Sequence, residues 1–424
     1  MSHTPVATEP PYALSAPVAP KTQPLDGNLI VDVALVGAGF SGTIAALDLA
    51  RRGVCVALIE AGQIGQGGSG RNHGQCIPVF GYLDQNDLPP EGFALLRDAG
   101  RRVFDQIAEL RINCEPVQKG WLQAAKDPAG LARAKALHAK YTAIGKSGAF
   151  LGPEDVTALS GSSGFLGGWL HRDGGHLNPL AYVRGLARAA LEAGAQIHTE
   201  TPLVGLTRTV GGLWDIATPS GTITARKVGL TTNAYSSAAI PDRMRKSIVP
   251  MTSYAIASEP LNTAQRANVL PSGVNFCDTQ RDPMFFRVDA AGRIITGGLV
   301  ELRRGRFSTP TFAEAERRLN RLYPVLNGPT WSHHWTGTVG ISAQQRPAIF
   351  ELADGLWGLV GYSGRGVPTS AVLGSAFAAT LVDPAEGGRL WPADPPSRIP
   401  FARTIGLAVQ NLRGPMNKMR DRLA

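Results

Sequence analysis

Val36-Gly37-Ala38-Gly39-Phe40-Ser41-Gly42 stands between an apolar run and a segment of small residues, and its reading decides the fold. Val31-Asp32-Val33-Ala34-Leu35-Val36 reads as a buried strand and Ile44 through Ala50 as a helix. Val54-Cys55-Val56-Ala57-Leu58-Ile59 reads as a second strand. In such a strand–turn–helix–strand unit, a G-x-G-x-x-G turn brings backbone amides at a helix N-terminus up to a pyrophosphate. Gly37 permits the tight turn, Gly39 the close approach, and Gly42 the packing of helix on sheet. Glu60, closing the second strand, stands where an acid accepts hydrogen bonds from a ribose. A plain glycine-rich turn leaves that acid unexplained.

The chain has 424 residues, enough for two domains or for one large domain with a substrate-binding insertion. Its 42 basic and 33 acidic side chains leave a net charge of +9, which suits an anionic ligand such as a dinucleotide. The basic residues form no block with interleaved aromatics, so nucleic acid is not an expected partner. Cys55, Cys76, Cys114 and Cys277 make neither a C-x-x-C pair nor a metal-ligand spacing, and no metal is expected. A reducing compartment fits, and the expected localisation is cytoplasmic. No apolar run is long enough to span a bilayer. Residues 1–28, rich in proline and without a signal pattern, read as an extended arm.

Beyond the opening unit, Gly62 to Gln75 is a loop dense in glycine, as where a chain passes close to a flat ligand. Helical spacing recurs over 92–112 and 129–147, with a strand at Trp121 to Ala125 between them. Asp173 to Pro179 opens a helix to Ala193, followed by short strands at 196–198 and 204–206 and a longer one from Lys227 to Thr232. Strands are expected at 252–257, 284–288 and 293–297, and a helix at 312–322. Leu356 to Val360 is an apolar strand leading into a small-residue helix to Val382. The expected fold is α/β: a discontinuous Rossmann-type nucleotide-binding domain (29–84, 168–240 and 345–384) and an α+β substrate domain with a mainly antiparallel sheet (85–167 and 241–344). Residues 385–424 form a C-terminal segment with a basic helix.

A single dinucleotide motif points to one dinucleotide, with electrons coming from a small substrate. The loop Ser69-Gly70-Arg71-Asn72-His73-Gly74-Gln75 and the strand–loop–helix at 356–382 add further polar groups and backbone amides. A flavin ring, anionic when reduced, gains from such donors and from a helix dipole. The expected cofactor is FAD.

These residues resemble the D-amino-acid-oxidase-like flavoprotein superfamily, and within it the gamma-glutamylputrescine oxidase-like branch. The matching features are Gly37 to Gly42, Glu60-Ala61, Ser69-Gly70-Arg71-Asn72, Asp173 to Pro179 and Asn233-Ala234-Tyr235. They continue through Arg293 to Gly298, Trp335-Thr336-Gly337, Arg346-Pro347, Gly361-Tyr362-Ser363-Gly364 and Arg420-Asp421-Arg422-Leu423. The resemblance implies bound FAD, a discontinuous FAD domain, and a substrate domain whose antiparallel sheet lies over the flavin. It implies oxidation of an amine C–N bond to an imine that water hydrolyses, with O2 or another acceptor reoxidising the flavin. Two departures, His73 after Asn72 and Arg365 after Gly364, lie where the branch often has glycine and histidine.

The expected flavin contacts are Gly37, Gly39, Phe40, Ser41, Gly42, Glu60 and Ala61 from the first unit. Ser69, Gly70, Arg71, Asn72, His73, Gly74 and Gln75 follow from the loop. Asn233, Gly361, Tyr362, Ser363, Gly364, Gly366 and Val367 come from later segments, and family position adds Val204 at the adenine. The expected reaction-side residues are His73, Tyr254, Arg287, Trp335 and Arg365. His73 is a flavin-side polar group or attachment point. Arg287, on a strand, is the candidate guanidinium for a substrate carboxylate. Trp335 walls the cavity, and Arg365 offsets the charge of reduced flavin. Gln344, Gln345 and Arg346 resemble the segment bordering the flavin. The expected partners are a small amine or amino acid and an electron acceptor. Oxidation of a D-amino acid, glycine-like or N-methyl amino acid stays open beside the diamine-derived reading. So do a flavin-binding subunit without its own turnover and an RNA-modifying flavoprotein.

Overall fold

The computed structural model describes residues 8–84, 86–146, 148–300, 302–303, 306–307, 312–395, 398–413, 416 and 420. The first seven residues of the arm and the Asp421-Arg422-Leu423 part of the resemblance lie outside these.

Two large sheets organise the described residues. In the first, apolar runs rich in Val, Leu and Ala become buried parallel strands, ordered Leu356–Val360, Gly221–Leu230, Leu29–Val36, Val56–Ile59 and Gln196–His198. Ala348–Ala353 adds an antiparallel edge beside Leu356–Val360. Trp214–Thr218 and Gly205–Arg208 fold back on Gly221–Leu230 as a meander. Val56–Ile59 begins at Val56, so Val54 and Cys55 lead into the strand rather than form it.

Helices Phe40–Arg51, Pro179–Glu192 and Gly366–Val382 pack together beside this sheet. Small residues make the approach possible: a Cβ on Gly374 would lie 2.7 Å from the Cβ of Ile44. Helix Pro179–Glu192 starts with proline at its first position, and Asn178 Oδ1 accepts the Ala181 amide at 3.1 Å.

The second sheet runs Trp331–Ser342, Ile248–Ser258, Ile294–Leu299, Phe285–Val288, Asn275–Asp278, Trp121–Ala125, Gly167–His171 and Gly148–Leu151. All its pairs are antiparallel except Asn275–Asp278 with Trp121–Ala125. Gly167–His171 therefore sits in the second sheet, although residues from 168 read as part of the nucleotide-binding block. Helices Pro90–Arg97 and Ala99–Glu109 pack on Pro384–Leu390 and Gly366–Val382, beside the first sheet rather than the second.

The described part of the arm is seated. Tyr12 is 2% exposed, and its carbonyl accepts from Asn178 Nδ2 at 3.0 Å. Arg184 donates to the carbonyl of Pro17, and the Leu25 amide donates to Thr201 Oγ1. Near the C-terminus, helix Ala402–Ala408 runs along strand Ile248–Ser258, and Gln410 donates to the carbonyls of Thr252 and Val300. Among the described residues no helix is long and apolar enough to cross a membrane.

Candidate functional site

One cavity of about 970 Å³ runs from the first glycine turn to the face of the second sheet. Gly37 sits at φ +107°, which a side chain tolerates poorly, and the strand carbonyl of Ile59 accepts its amide at 2.8 Å. A Cβ on Gly42 would lie 2.0 Å from the Gly37 carbonyl oxygen, so glycine alone lets the helix start this close to the turn. Helix Phe40–Arg51 opens on the cavity with no acidic residue in its first turn and no side-chain cap on its N-cap residue. Ser69 Oγ accepts the Phe40 amide at 2.9 Å, bringing the loop onto the helix end. A helix N-terminus whose N-cap glycine offers no capping side chain, beside a glycine turn, fits an anionic diphosphate.

Glu60 lines the same cavity. Its Oε2 accepts the Ala38 amide at 2.8 Å and its Oε1 the Gly62 amide at 3.1 Å, so both oxygens are fixed at the end of Val56–Ile59. A carboxylate accepting two backbone N–H groups keeps lone pairs for ribose hydroxyls. Ala61, Thr201, Pro202 and Leu203 continue the wall. Val204 does not: it is 57% exposed, and its amide is spent on the carbonyl of Ala217. The residue before it turns inward instead.

Arg71, Asn72, His73 and Gln75 line the middle of the cavity, while Gly70 and Gly74 are packing glycines behind them. Asn72 ties the loop by donating to the carbonyls of Gly68 and Ser69 and accepting the Gly74 amide at 2.8 Å. Arg71 donates to Gln66 O and pairs with Glu9 of the arm. Burial pushes the His73 imidazole down to about 4, so the ring is neutral near pH 7. Its Nε2 lies 3.3 Å from the Tyr254 carbonyl, which only accepts; Nε2 therefore carries the proton and Nδ1 is the acceptor.

The opposite wall comes from the last strand–loop–helix. Tyr362, Gly364, Gly366 and Val367 line it, with Gly364 at φ +81°. Gly361 and Ser363 lie behind: the Gly361 amide donates to Asn233 Oδ1 at 3.0 Å, and Ser363 Oγ accepts the Ser342 amide. Asn233 and Ser363 both hold positive φ, at 45° and 50°, so strain is concentrated where this wall is built. Helix Gly366–Val382, like the first, has no acidic residue in its first turn. Its N-terminus fits the charge of a reduced flavin. Arg346 is elsewhere, paired with Asp394 at 2.5 Å over Trp391.

Three of the expected reaction-side residues lie off the cavity. Met251 and Ser253 line it, so on the same strand Tyr254 faces the other way by the period of two. Arg287 is 2% exposed and donates through Nε to the His73 carbonyl at 2.6 Å, which places it behind the loop, not in front of a substrate. Trp335 is likewise buried, its Nε1 donating to the Arg71 carbonyl at 2.7 Å. Gly337, Val339 and Ile341 supply that strand's cavity face.

Arg365 does line the cavity. Its Nε donates to Val79 O at 3.1 Å, and its two terminal nitrogens have no partner among the described residues. Burial raises the Tyr82 and Tyr141 phenols and the Cys277 thiol, and the Arg365 guanidinium lies close enough, at the second-sheet end, to offset part of that rise. That end is otherwise apolar, walled by Ile77, Trp121, Cys277, Pro283 and Phe285. Sequence reasoning missed these because alternation shows which residues share a face, not which face meets the other sheet.

Comparison with known proteins gives the same picture. The family model for FAD dependent oxidoreductases (DAO) matches residues 32–380. A probable oxidoreductase, OrdL, of Rhizobium meliloti is 31% identical over 87% of this chain and 86% of its own length. The gamma-glutamylputrescine oxidoreductase of Escherichia coli is 26% identical over 97% of this chain and 98% of its own. The structure of glycine oxidase from Bacillus cereus superimposes with a TM-score of 0.72 at 20% identity, covering 88% of this chain and 99% of that one.

Proposed function

We propose, from the premise that the chain belongs to the FAD-dependent oxidoreductase family, that it oxidises the C–N bond of an amine that also carries a carboxylate. The observation carrying this reading is Arg365, a guanidinium with two free nitrogens at the rim of an apolar, aromatic-walled chamber. Glu60, at the far end, is the sole carboxylate lining the cavity among the described residues. A diamine with two free cationic ends would find no counter-charge beside Arg365, whereas a carboxylate accepts a bidentate pair there. The relative from Escherichia coli acts, by its name, on gamma-glutamylputrescine, which combines an amine with an amino-acid end.

Held between the first glycine turn, Glu60 and the N-terminus of helix Gly366–Val382, FAD would supply the two-electron oxidation of the C–N bond to an imine, which water hydrolyses. The chain's residues position and desolvate. Arg365 holds the carboxylate, and Ile77, Trp121 and Phe285 exclude water from the reacting carbon. Neutral His73 presents Nδ1 as an acceptor without adding charge. O2 or another acceptor completes the turnover.

The test is anaerobic mixing of the FAD-loaded protein with paired amines that differ only in a carboxylate, following the visible flavin band. The carboxylate-bearing member bleaches the band, and Arg365→Met raises the concentration for half-bleaching about tenfold, the worth of one charge-assisted contact. Equal bleaching by both members overturns the carboxylate assignment. A band that no amine bleaches favours a flavin-binding subunit without its own turnover.

A further inference from the structure

The loop beside the flavin position is held from behind by three side chains, one backbone carbonyl each. Trp335 Nε1 donates to Arg71 O at 2.7 Å, the Tyr12 hydroxyl to Asn72 O at 2.8 Å, and Arg287 Nε to His73 O at 2.6 Å. Arg71, Asn72 and His73 line the cavity and the three donors do not, so the carbonyls point away from it. A trans peptide sends its N–H opposite to its C=O, and no described peptide bond is cis.

The neighbouring amides are already committed. Asn72 N–H donates to Gly68 O at 3.0 Å and Gly74 N–H to Asn72 Oδ1 at 2.8 Å. The His73 N–H has no acceptor among the described residues. It belongs to the peptide whose carbonyl Tyr12 holds. Tyr12 is itself locked, its ring edge-on to Trp335 at 5.6 Å and its own carbonyl bonded to Asn178.

We propose that Tyr12, on the N-terminal arm, is a positioning residue of the FAD site: by holding the Asn72 carbonyl outward it turns the His73 N–H into the cavity as a donor to the flavin ring. The arm thereby completes the cofactor site from outside the nucleotide-binding sheet. This rests on FAD binding and not on the class of substrate, so it survives or fails independently of the carboxylate assignment.

Tyr12→Phe keeps the ring and removes only the donor. On titrating FAD into the apoprotein, its dissociation constant rises three- to tenfold, as for one lost hydrogen bond. The visible band and the flavin midpoint potential also move. Trp335→Phe keeps a ring against Tyr12 and frees only the Arg71 carbonyl, whose peptide partner, the Asn72 N–H, stays bonded to Gly68; it leaves the band and the potential in place. An unchanged affinity, band and potential in Tyr12→Phe overturns the proposal. So does an equal spectral shift in both variants, which marks general loosening of the loop.

Discussion

The Ser41 hydroxyl and the Tyr362 phenol share a hydrogen bond across 321 residues of chain. Ser41 stands in the first turn of the first helix and Tyr362 in the loop before the last long one, and both line the cavity. Burial raises the Tyr362 phenol well above its ordinary range, so it stays protonated at any working pH. Tyr362→Phe strands the Ser41 hydroxyl beside the diphosphate position. The expected loss is about 1 kcal/mol of stability and a severalfold weaker hold on FAD, read by denaturant midpoint and by FAD titration.

Glu60→Ala releases the Ala38 and Gly62 amides and removes the ribose acceptor together. FAD content after purification should fall, with at least about a tenfold rise in dissociation constant. Glu60→Gln keeps one acceptor and should fall between. A cofactor content unchanged in the alanine variant would remove the ribose role.

Gly42→Ala tests the helix-on-turn packing. The added methyl meets the Gly37 carbonyl at 2.0 Å, a backbone atom that cannot swing aside. Destabilisation of at least about 2 kcal/mol follows from overpacking, with loss of FAD. Gly53→Ala, where a Cβ meets nothing within 4 Å at φ +76°, costs only backbone strain and serves as the comparison in the same unfolding assay.

Acid should unfold the protein early. Burial depresses His171 to about 4 and His176 to about 3, against about 6.5 for a free imidazole. Above pH 6.5 neither state binds these protons. As pH falls below it the unfolded chain takes them up and the folded one does not. Stability then drops by about 1.4 kcal/mol per pH unit for each imidazole, down to about pH 4 and then 3. Urea midpoints at pH 7.5, 6 and 5 with constant slope measure this, and a flat profile would show both rings solvated in the fold.

Local order was readable where pattern and punctuation agree. Trp121–Ala125, Leu356–Val360 and Phe312–Leu322 have the bounds that alternation, apolar runs and helical spacing assign. The glycine turn and Glu60 were readable for the same reason, since each needs a special residue at a fixed place. The helical stretch 92–112 is broken at Asp98 into two helices, a break that apolar spacing passes over although Asp98 and Gly100 mark it. Arg287 and Tyr254 misled because a charged or aromatic residue on a strand has two faces to choose from, and only the packed sheets choose. Tyr12 gave no signal at all: the partners of its side chain, Asn72 and Trp335, lie 60 residues away and further.

The strand Leu29–Val36 is flanked by Val56–Ile59 on one side and by Gly221–Leu230 on the other, with Leu356–Val360 beyond. On the ribosome the first of these neighbours emerges soon after it and the last far later. A nascent chain thus carries its glycine turn with Gly221–Leu230 still an open edge until Leu356–Val360 is made, an apolar edge that invites wrong pairing. Because residues as late as Ser370 line the cavity, supply of flavin during expression should govern how much polypeptide escapes aggregation.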